Sequence, residues 1–202
     1  MTNYHESIVD SLGIGSGLVR DAEAQSFDQD VVLVREFISG RTSAFDLLYK
    51  RHASRVYNIC LGILGNPDDA RDAMQETFVQ VFRSLPKFRL HSKFCTWLYR
   101  IAVNKCVDAV RRRPRWEVKD SLEDFRCEVP SNDNRLVEEI RFLVTKLKPS
   151  YRAVLVLYYF QQFSYGEIAE TLGWSVEQVR SNLHRARRAL RNLYDRGDDF
   201  EV

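Results

Sequence analysis

The side chains with the clearest chemical pattern are the basic ones of residues 175–190. This segment reads SVEQVRSNLHRARRAL, and its apolar residues recur at steps of three and four, as on the buried side of a helix. Only Glu177 opposes the basic residues in the first three turns. Such a helix fits the major groove of B-form DNA, although the same pattern also occurs in a solvated bundle helix. We expect contacts to duplex DNA from Ser175, Gln178, Arg180, Ser181, Asn182, His184, Arg185, Arg187 and Arg188.

Aromatic and basic residues alternate in a second segment, KFRLHSKFCTWLYR, which covers residues 87–100. Aromatic rings can stack on unpaired bases, and lysine or arginine side chains can contact the backbone phosphates. The alternative is that Phe94, Trp97, Leu98 and Ile101 are core residues, which leaves the loop from Phe88 to Lys93 as the better candidate. The predicted contacts to opened DNA are Phe88, Arg89, His91, Ser92, Lys93, Trp97, Asn104, Lys105, Arg111 and Arg112.

Residues 68–85 show two neighbouring stripes at helical spacing. One is apolar and predicts a buried face, made of Ala70, Ala73, Met74, Phe78, Val81, Phe82 and Leu85. The other is mostly polar with acidic leading residues, as suits docking to a basic partner helix, although a solvent-exposed face has the same pattern. The second stripe consists of Asp72, Gln75, Glu76, Val79, Gln80 and Arg83.

All of these residues are predicted to lie on helices or in the short turns between them. Asn66 and Pro67 mark a helix start, and Pro114 ends the helix read from about Ser92. In FSYGEIAETLGWS, Ser164 and Glu167 form a capping box and Gly173 supplies a left-handed residue before the next start at Ser175. This pattern predicts two short helices in a helix-turn-helix. We find no hairpin turn between alternating strands, so the predicted fold class is all-α.

The charge of the chain divides into five segments. Residues 27–113 carry 15 basic and 9 acidic residues, and residues 134–196 carry 11 and 6. The segments 1–26, 114–133 and 197–202 are each acidic, with a net charge of −3. We interpret them as a flexible N-terminal tail, a flexible linker and an acidic tail around two small helical domains. Two cationic domains on a tether are typical of proteins that bind an anionic polymer, although surface charge can also partition by chance.

Composition and motifs argue against several classes of protein. The longest apolar run, residues 153–160, is too short to cross a bilayer, and the N-terminus does not resemble a secretory signal, so we expect a cytoplasmic protein. The four cysteines form no CxxC pair, which argues against a disulfide framework or a zinc ribbon. His91 and Cys95 alone make an incomplete ligand set. No phosphate loop, HExxH or GxSxG motif is present. We predict no enzyme activity, no cofactor and no metal.

Three segments together resemble the group IV, or extracytoplasmic-function, sigma factors of bacterial RNA polymerase. GNPDDARDAMQETFVQVFRSL resembles the polymerase-binding helix of that family, FCTWLYRIAVNKCVDAVRRR its promoter-melting helix, and FSYGEIAETLGWSVEQVRSNLHRARRAL its minus-thirty-five helix-turn-helix. The resemblance covers about residues 27–196 in the family order. It implies a sigma-2-like bundle and a sigma-4-like domain joined by the linker.

The resemblance also implies partners and site roles. Asp72, Gln75, Glu76 and Phe78 would lie at or under the surface that grips the coiled coil of core RNA polymerase. Phe88 and the loop to Lys93 would hold a flipped minus-ten base, Asn104 would lie where melting starts, and residues Arg180, Ser181, His184 and Arg185 would read the minus-thirty-five element. An anti-sigma factor is a further expected partner, in a stress response, with no membrane insertion by the chain itself.

Some positions depart from the family pattern. Asn182 replaces a common basic residue, Trp174 to Glu177 replace a Pro-x-Gly-Thr turn, and Arg71 replaces a common acidic residue. The linker is expected to thread toward the polymerase active-site channel. An ordinary helix-turn-helix repressor or activator explains the C-terminal half equally well, but it leaves the polar stripe and the aromatic segment without a role.

Overall fold

A computed structural model describes residues 19–112 and 134–198, with side chains described for 29–112 and 139–195. Within these ranges every regular element is helical, which confirms the all-α prediction. The α-helices are α1 (Val19–Ile38), α2 (Ser43–Leu64), α3 (Pro67–Ser84), α4 (Phe94–Arg112), α5 (Asn134–Thr145), α6 (Pro149–Leu155), α7 (Tyr165–Leu172) and α8 (Val176–Asp198). The predicted linker, residues 1–18 of the N-terminal tail and residues 199–202 lie outside the described residues.

Helices α1 to α4 form the first domain. The buried side of α2 recurs at helical spacing, from Leu48 through Val56 to Ile63, and it packs against α1, α3 and α4. Gly65 ends α2 with φ 74°. The Asn66 side chain then accepts hydrogen bonds from the backbone N–H groups of residues 68 and 69, at 2.9 and 3.1 Å. This cap and the helix-compatible φ of Pro67 explain why α3 restarts there, as predicted.

A buried polar chain connects three helices of this domain. Asp30 of α1 lies 2.9 Å from His52 Nε2 of α2, and His52 Nδ1 lies 3.1 Å from the Tyr99 hydroxyl of α4. Arg51 also donates to Asp30, at 2.8 Å. Because each buried polar group has a partner, this chain fixes the relative positions of the three helices.

Helices α5 to α8 form the second domain, and its local signals match the sequence. Ser164 and Glu167 make the predicted capping box, with the Glu167 carboxylate accepting from Ser164 N at 2.9 Å and Glu167 N donating to Ser164 Oγ at 3.3 Å. Gly173 ends α7 with φ 68°. Ser175 and Gln178 cap α8 reciprocally, at 2.8 and 3.1 Å. The tight turn between α7 and α8 is therefore built as the sequence predicts.

The structure corrects three expectations about the elements. Helix α1 begins at Val19, so residues 19–26 of the predicted tail are helical. Helix α8 is 23 residues long rather than short, because its apolar side continues beyond the helix-turn-helix to pack on α6 and α5. Phe82 is 45% exposed rather than buried, because it lies at the edge of the apolar stripe, three residues after the exposed Val79, whereas Val81 and Leu85 are 0% exposed.

The two domains pack against each other. Helices α2 and α4 of the first domain contact α6 of the second, α2 also contacts α5, and α4 contacts α7. Between α6 and α7 the chain forms a π-helical turn over residues 156–160, and this turn also lies against α2.

Two kinds of feature are absent from the described residues. No helix there has the length and apolar character to cross a membrane. No group of three or more His, Cys, Asp or Glu side chains there is placed to hold a metal ion.

Candidate nucleic-acid and protein interfaces

The outer side of α8 is an exposed basic surface. The side chains of Arg180, Ser181, His184, Arg185 and Arg188 are all exposed. Ser175 and Gln178 are exposed too, although their polar groups also cap the helix. Asn182 is half-buried, and its amide donates to the carbonyl of Gln178 at 2.8 Å. The first turns of α8 can therefore present several hydrogen-bonding groups to one groove of DNA.

Arg187, two turns after Arg180, is half-buried at the edge of this surface. Its Nε donates to the Tyr159 hydroxyl at 2.7 Å, and its guanidinium lies 5.4 and 5.5 Å from the ring centroids of Tyr158 and Tyr159. Burial raises the pKa of Tyr159, and the nearby Arg187 charge only partly offsets this effect. Arg187 thus joins α8 to the π-helical turn, which is a structural role that its sequence position did not suggest.

The aromatic and basic segment forms a cleft at the start of α4. The rings of Phe88 and Trp97 stack with centroids 4.7 Å apart and planes 25° apart. The cleft has a volume of about 400 Å³ and is lined by Ser84, Lys87, Phe88, Arg89, His91, Ser92 and Trp97. Arg89, His91 and Lys93 are exposed at its rim or beside it. A half-buried aromatic pair with cations around it is suited to stack on a base.

The alternative interpretation of this segment was that four of its apolar residues belong to the core, and it holds for two of them. Phe94 and Leu98 are 1% and 0% exposed, so they belong to the core, whereas Trp97 and Ile101 are only half-buried. Further along α4, Asn104, Arg111 and Arg112 are exposed. These three residues share the helix that carries Trp97.

The polar stripe of α3 is exposed and has an apolar centre. We call it the docking face, and it consists of Asp72, Gln75, Glu76, Val79, Phe82, Gln80 and Arg83. Val79 and Phe82 are 49% and 45% exposed. Phe78, which is 4% exposed, lies beneath it. Sequence reasoning missed Phe82 as part of this face, although its spacing of three from Val79 was a signal for it.

Aromatic packing holds the docking face in place. The Phe82 ring lies edge-on against Phe45 and Phe37, with centroids 5.0 and 5.2 Å apart. The buried Phe78 ring similarly meets Tyr49, at 4.7 Å. Lys105 of α4 donates to Glu76 at 3.2 Å, which joins the docking face to the helix that carries the cleft. Rigid rings beneath a half-apolar surface are typical of a protein interface.

Comparison with known proteins decides the family. Residues 48–115 match Sigma-70 region 2, and residues 138–190 match Sigma-70, region 4. The ECF RNA polymerase sigma-E factor of Salmonella typhimurium is 34% identical over 178 residues, which cover 81% of this chain and 93% of that protein. The chain belongs to the extracytoplasmic-function sigma factors. It is therefore a transcription initiation factor of the sigma-70 family and not an enzyme.

Other relatives of this sigma factor support the same family assignment. The ECF sigma factor SigE of Mycolicibacterium smegmatis is 38% identical over 157 residues, which cover 74% of this chain and 61% of that longer protein. The ECF sigma factor SigW of Bacillus subtilis is 30% identical over 173 residues, covering 78% of this chain and 92% of SigW.

Two solved structures share the fold of this sigma factor. CnrH, determined in complex with the cytosolic domain of CnrY, is 29% identical, with a TM-score of 0.64 over 83% of this chain and 97% of CnrH. The sigma factor RpoE of Bartonella quintana, determined with the anti-sigma factor NepR, has a TM-score of 0.59 at 23% identity, over 75% of this chain and 96% of that one. The docking face and the cleft lie in the region 2 match, and the exposed basic side of α8 lies in the region 4 match.

Proposed function

We propose that the docking face of α3 binds core RNA polymerase. The observation that carries this proposal is the exposure of Val79 and Phe82, at 49% and 45%, within a ring of acidic and amide side chains. A helix face that only meets solvent does not need an aromatic ring supported from below by other rings. Acidic residues around an apolar centre suit a basic partner helix, because the charges steer association while the apolar area stabilises the complex.

The second step is recognition of duplex DNA by α8. Arg180, Ser181, His184 and Arg185 are exposed in the first half of the helix, behind the Ser175 cap. Groups in this part of a recognition helix contact base edges, while a later arginine such as Arg188 contacts phosphate. We assign residues 134–196 to recognition of the minus-thirty-five element on this basis.

The third step is capture of an opened base at the cleft. Extruding a base costs about a few kcal/mol, and stacking on an aromatic side chain contributes roughly 1 to 3 kcal/mol per base. The Phe88 and Trp97 pair, together with phosphate contacts from Arg89 and Lys93, therefore offsets much of that cost without any covalent chemistry. We assign residues 27–113 to polymerase binding and to minus-ten recognition, with the linker, residues 114–133, leading toward the polymerase active-site channel.

Regulation by an anti-sigma factor completes the proposal. CnrH was solved in complex with the cytosolic domain of CnrY, and its fold matches 83% of the present chain. We therefore expect a similar protein partner here, acting in the cytoplasm, where RNA polymerase works, and releasing the sigma factor under stress.

The test is transcription with and without this protein. DNA bound by the protein together with core polymerase is sequenced to define a promoter, and transcript is then measured from that promoter.

Val79→Glu should abolish retention of the protein on immobilised core polymerase, because it places a carboxylate at the apolar centre of the docking face. Val32→Glu is the matched control, since Val32 is 54% exposed on α1 and is not part of the docking face.

Two outcomes would contradict the proposal. Equal transcript with and without the protein would exclude a role as a sigma factor for that promoter. Duplex binding through α8 without any retention on polymerase would instead indicate a simple helix-turn-helix repressor or activator.

A further inference from the structure

The loop that forms the cleft contains a leucine with a left-handed backbone. Leu90 has φ 55°, and Gln162 is the other non-glycine residue with positive φ in the part of the chain that the structure describes. Glycine adopts this conformation readily, whereas in other residues the Cβ comes too close to a backbone carbonyl oxygen. A leucine with positive φ is therefore a backbone outlier, and such outliers persist only where the surrounding structure holds them.

The side chain of Leu90 shows what holds this conformation. It is half-buried and packs against the hydrophobic core. Just before the loop, Leu85 is 0% exposed at the start of the 3-10 turn Leu85–Lys87, and just after it Phe94 is 1% exposed at the start of α4. The loop thus has apolar contacts with the core before it, within it and after it. The Leu90 side chain is the contact within it.

The loop has to turn within a short length of chain. Residues 88–93 connect the 3-10 turn to α4. Phe88 has an extended backbone, with φ −73° and ψ 118°, and its N–H donates to the carbonyl of Leu85 at 3.0 Å. The Phe88 ring nevertheless meets the first turn of α4, with its centroid 4.7 Å from that of Trp97 and 6.2 Å from that of Phe94. A residue with positive φ allows a chain to turn this tightly.

Leu90 lies between the residues of the loop that line the cleft. Phe88 and Arg89 come before it, and His91 and Ser92 come after it. Leu90 itself is not among the lining residues. Rotation about φ of Leu90 turns the first pair relative to the second. The shape of the cleft therefore depends on a single dihedral angle, at a residue that contacts the core instead of the cleft.

From these observations we propose that Leu90 is a positioning residue for capture of the opened base. Its left-handed backbone makes the turn, and its side chain holds the turn against the core, so that the cleft is formed before DNA binds. A site that is already ordered does not lose further conformational freedom when its ligand arrives, which strengthens binding. This inference rests on the base capture proposed above for the cleft, and it adds a residue that acts through Phe88, Arg89 and His91.

The alternative is that Leu90 only covers the core and that its backbone conformation is incidental. Leu90→Ile and Leu90→Met separate the two interpretations, because both variants keep an apolar side chain of similar size. Isoleucine branches at Cβ and is therefore poorly compatible with positive φ, whereas methionine does not branch there. Leu90→Met is thus the matched control. Leu90→Gly tests the other half of the inference, since glycine adopts positive φ without strain but has no side chain to hold the turn.

The first measurement is the backbone order of residues 88–93 in the free full-length protein, by nuclear magnetic resonance relaxation. We expect order parameters of about 0.85 in the wild type and in Leu90→Met, as in a rigid backbone. In Leu90→Ile and Leu90→Gly they should fall below about 0.6, the range of a flexible loop, because each variant lacks one of the two features that hold the turn. The helical circular dichroism spectrum should be unchanged.

The second measurement is base capture by the holoenzyme. Promoter DNA carries the fluorescent base 2-aminopurine at each minus-ten position in turn, and its fluorescence reports when that base leaves the stack. Leu90→Ile and Leu90→Gly should weaken capture by about tenfold, as for loss of a strained conformation that the native fold maintains, while Leu90→Met stays within about twofold. Retention on immobilised core polymerase and binding to a minus-thirty-five duplex should not change, because Leu90 belongs neither to the docking face nor to α8.

Several outcomes would overturn the inference. If Leu90→Ile matches the wild type in loop order and base capture, the left-handed backbone has no positioning role, and if Leu90→Gly does so, the side chain has none. Equal loss of base capture, polymerase retention and duplex binding would show that Leu90 only supports the fold. If Leu90→Ile loses its helical spectrum, Leu90→Gly against Leu90→Met still decides.

Failure of the proposed base capture gives a different result. In that case no minus-ten position responds even with the wild type, while the order of residues 88–93 is measured without DNA. A rigid loop in the wild type and Leu90→Met, and a flexible one in Leu90→Ile and Leu90→Gly, would then support the effect of Leu90 on the loop and refute capture alone. A flexible loop in the wild type would overturn the inference whatever the DNA measurement gives.

Discussion

Substitution of Gly62 by alanine gives the sharpest test of how closely the two domains pack. The added Cβ would lie 2.9 Å from both γ-carbons of Val156 and 3.5 Å from its Cβ. Carbon atoms in contact prefer about 3.5 to 4.0 Å, so these contacts are too short by at least about 0.6 Å. Val156 is 0% exposed and branched at Cβ, which leaves it little room to rotate away.

Gly62→Ala has two effects on free energy. They have opposite signs and act on different equilibria. Alanine is favoured over glycine inside a helix by about 1 kcal/mol, and this gain applies whether the two domains are packed together (closed) or apart (open). Overpacking costs about 1 to 3 kcal/mol, and this cost applies only when the domains are packed together. The equilibrium between closed and open molecules should therefore shift toward the open form by about 5- to 150-fold.

Scattering, hydrogen exchange and a matched rescue variant together test this prediction. Gly62→Ala should enlarge the radius of gyration and speed exchange in residues 156–163, while the first domain keeps or gains thermal stability. Gly62→Ala combined with Val156→Ala removes the colliding methyl groups and should return the molecule toward its compact form. The reasoning is refuted if Gly62→Ala is as compact and as protected as the wild type, because α2 and the π-helical turn then do not touch in solution.

Five further predictions concern the proposed interfaces and the cap of α7. Phe82→Ala should weaken core polymerase binding by about 1 to 3 kcal/mol, measured by titration, as for the loss of a central aromatic contact. Arg185→Ala should weaken binding to a minus-thirty-five duplex by about 1 to 3 kcal/mol, and unchanged affinity would contradict its role. Phe88→Ala should slow promoter opening, followed by permanganate reactivity, and leave duplex binding unchanged. Ser164→Ala should cost about 1 kcal/mol of stability to denaturant through loss of the cap. Since the Glu167 pKa is lowered in the folded state, its contribution should be present at neutral pH and lost as the pH falls below about 4.5 through the folded value, so a Glu167→Gln variant and the wild type should converge in acid.

The helix caps and the left-handed glycine were predicted correctly from the sequence, because each involves only residues that are close together in the chain. The Asn66 cap with Pro67, and the capping box of Ser164 with Glu167, both formed as predicted. Gly173 adopts the left-handed conformation that its position suggested. These features depend on side chains bonding to backbone groups three residues away or less, so no tertiary information is needed to predict them.

Features that depend on distant residues were not predictable in the same way. Phe82 looks buried in a helical pattern, and its exposure depends on which side of α3 the neighbouring helices cover, since the adjacent Val81 is 0% exposed. Arg187 looks like the other arginines of α8 until the position of Tyr159, 28 residues earlier, is known. Arg55 contacts Gln161 across 106 residues. The pattern of one helix cannot report which part of the chain lies against it.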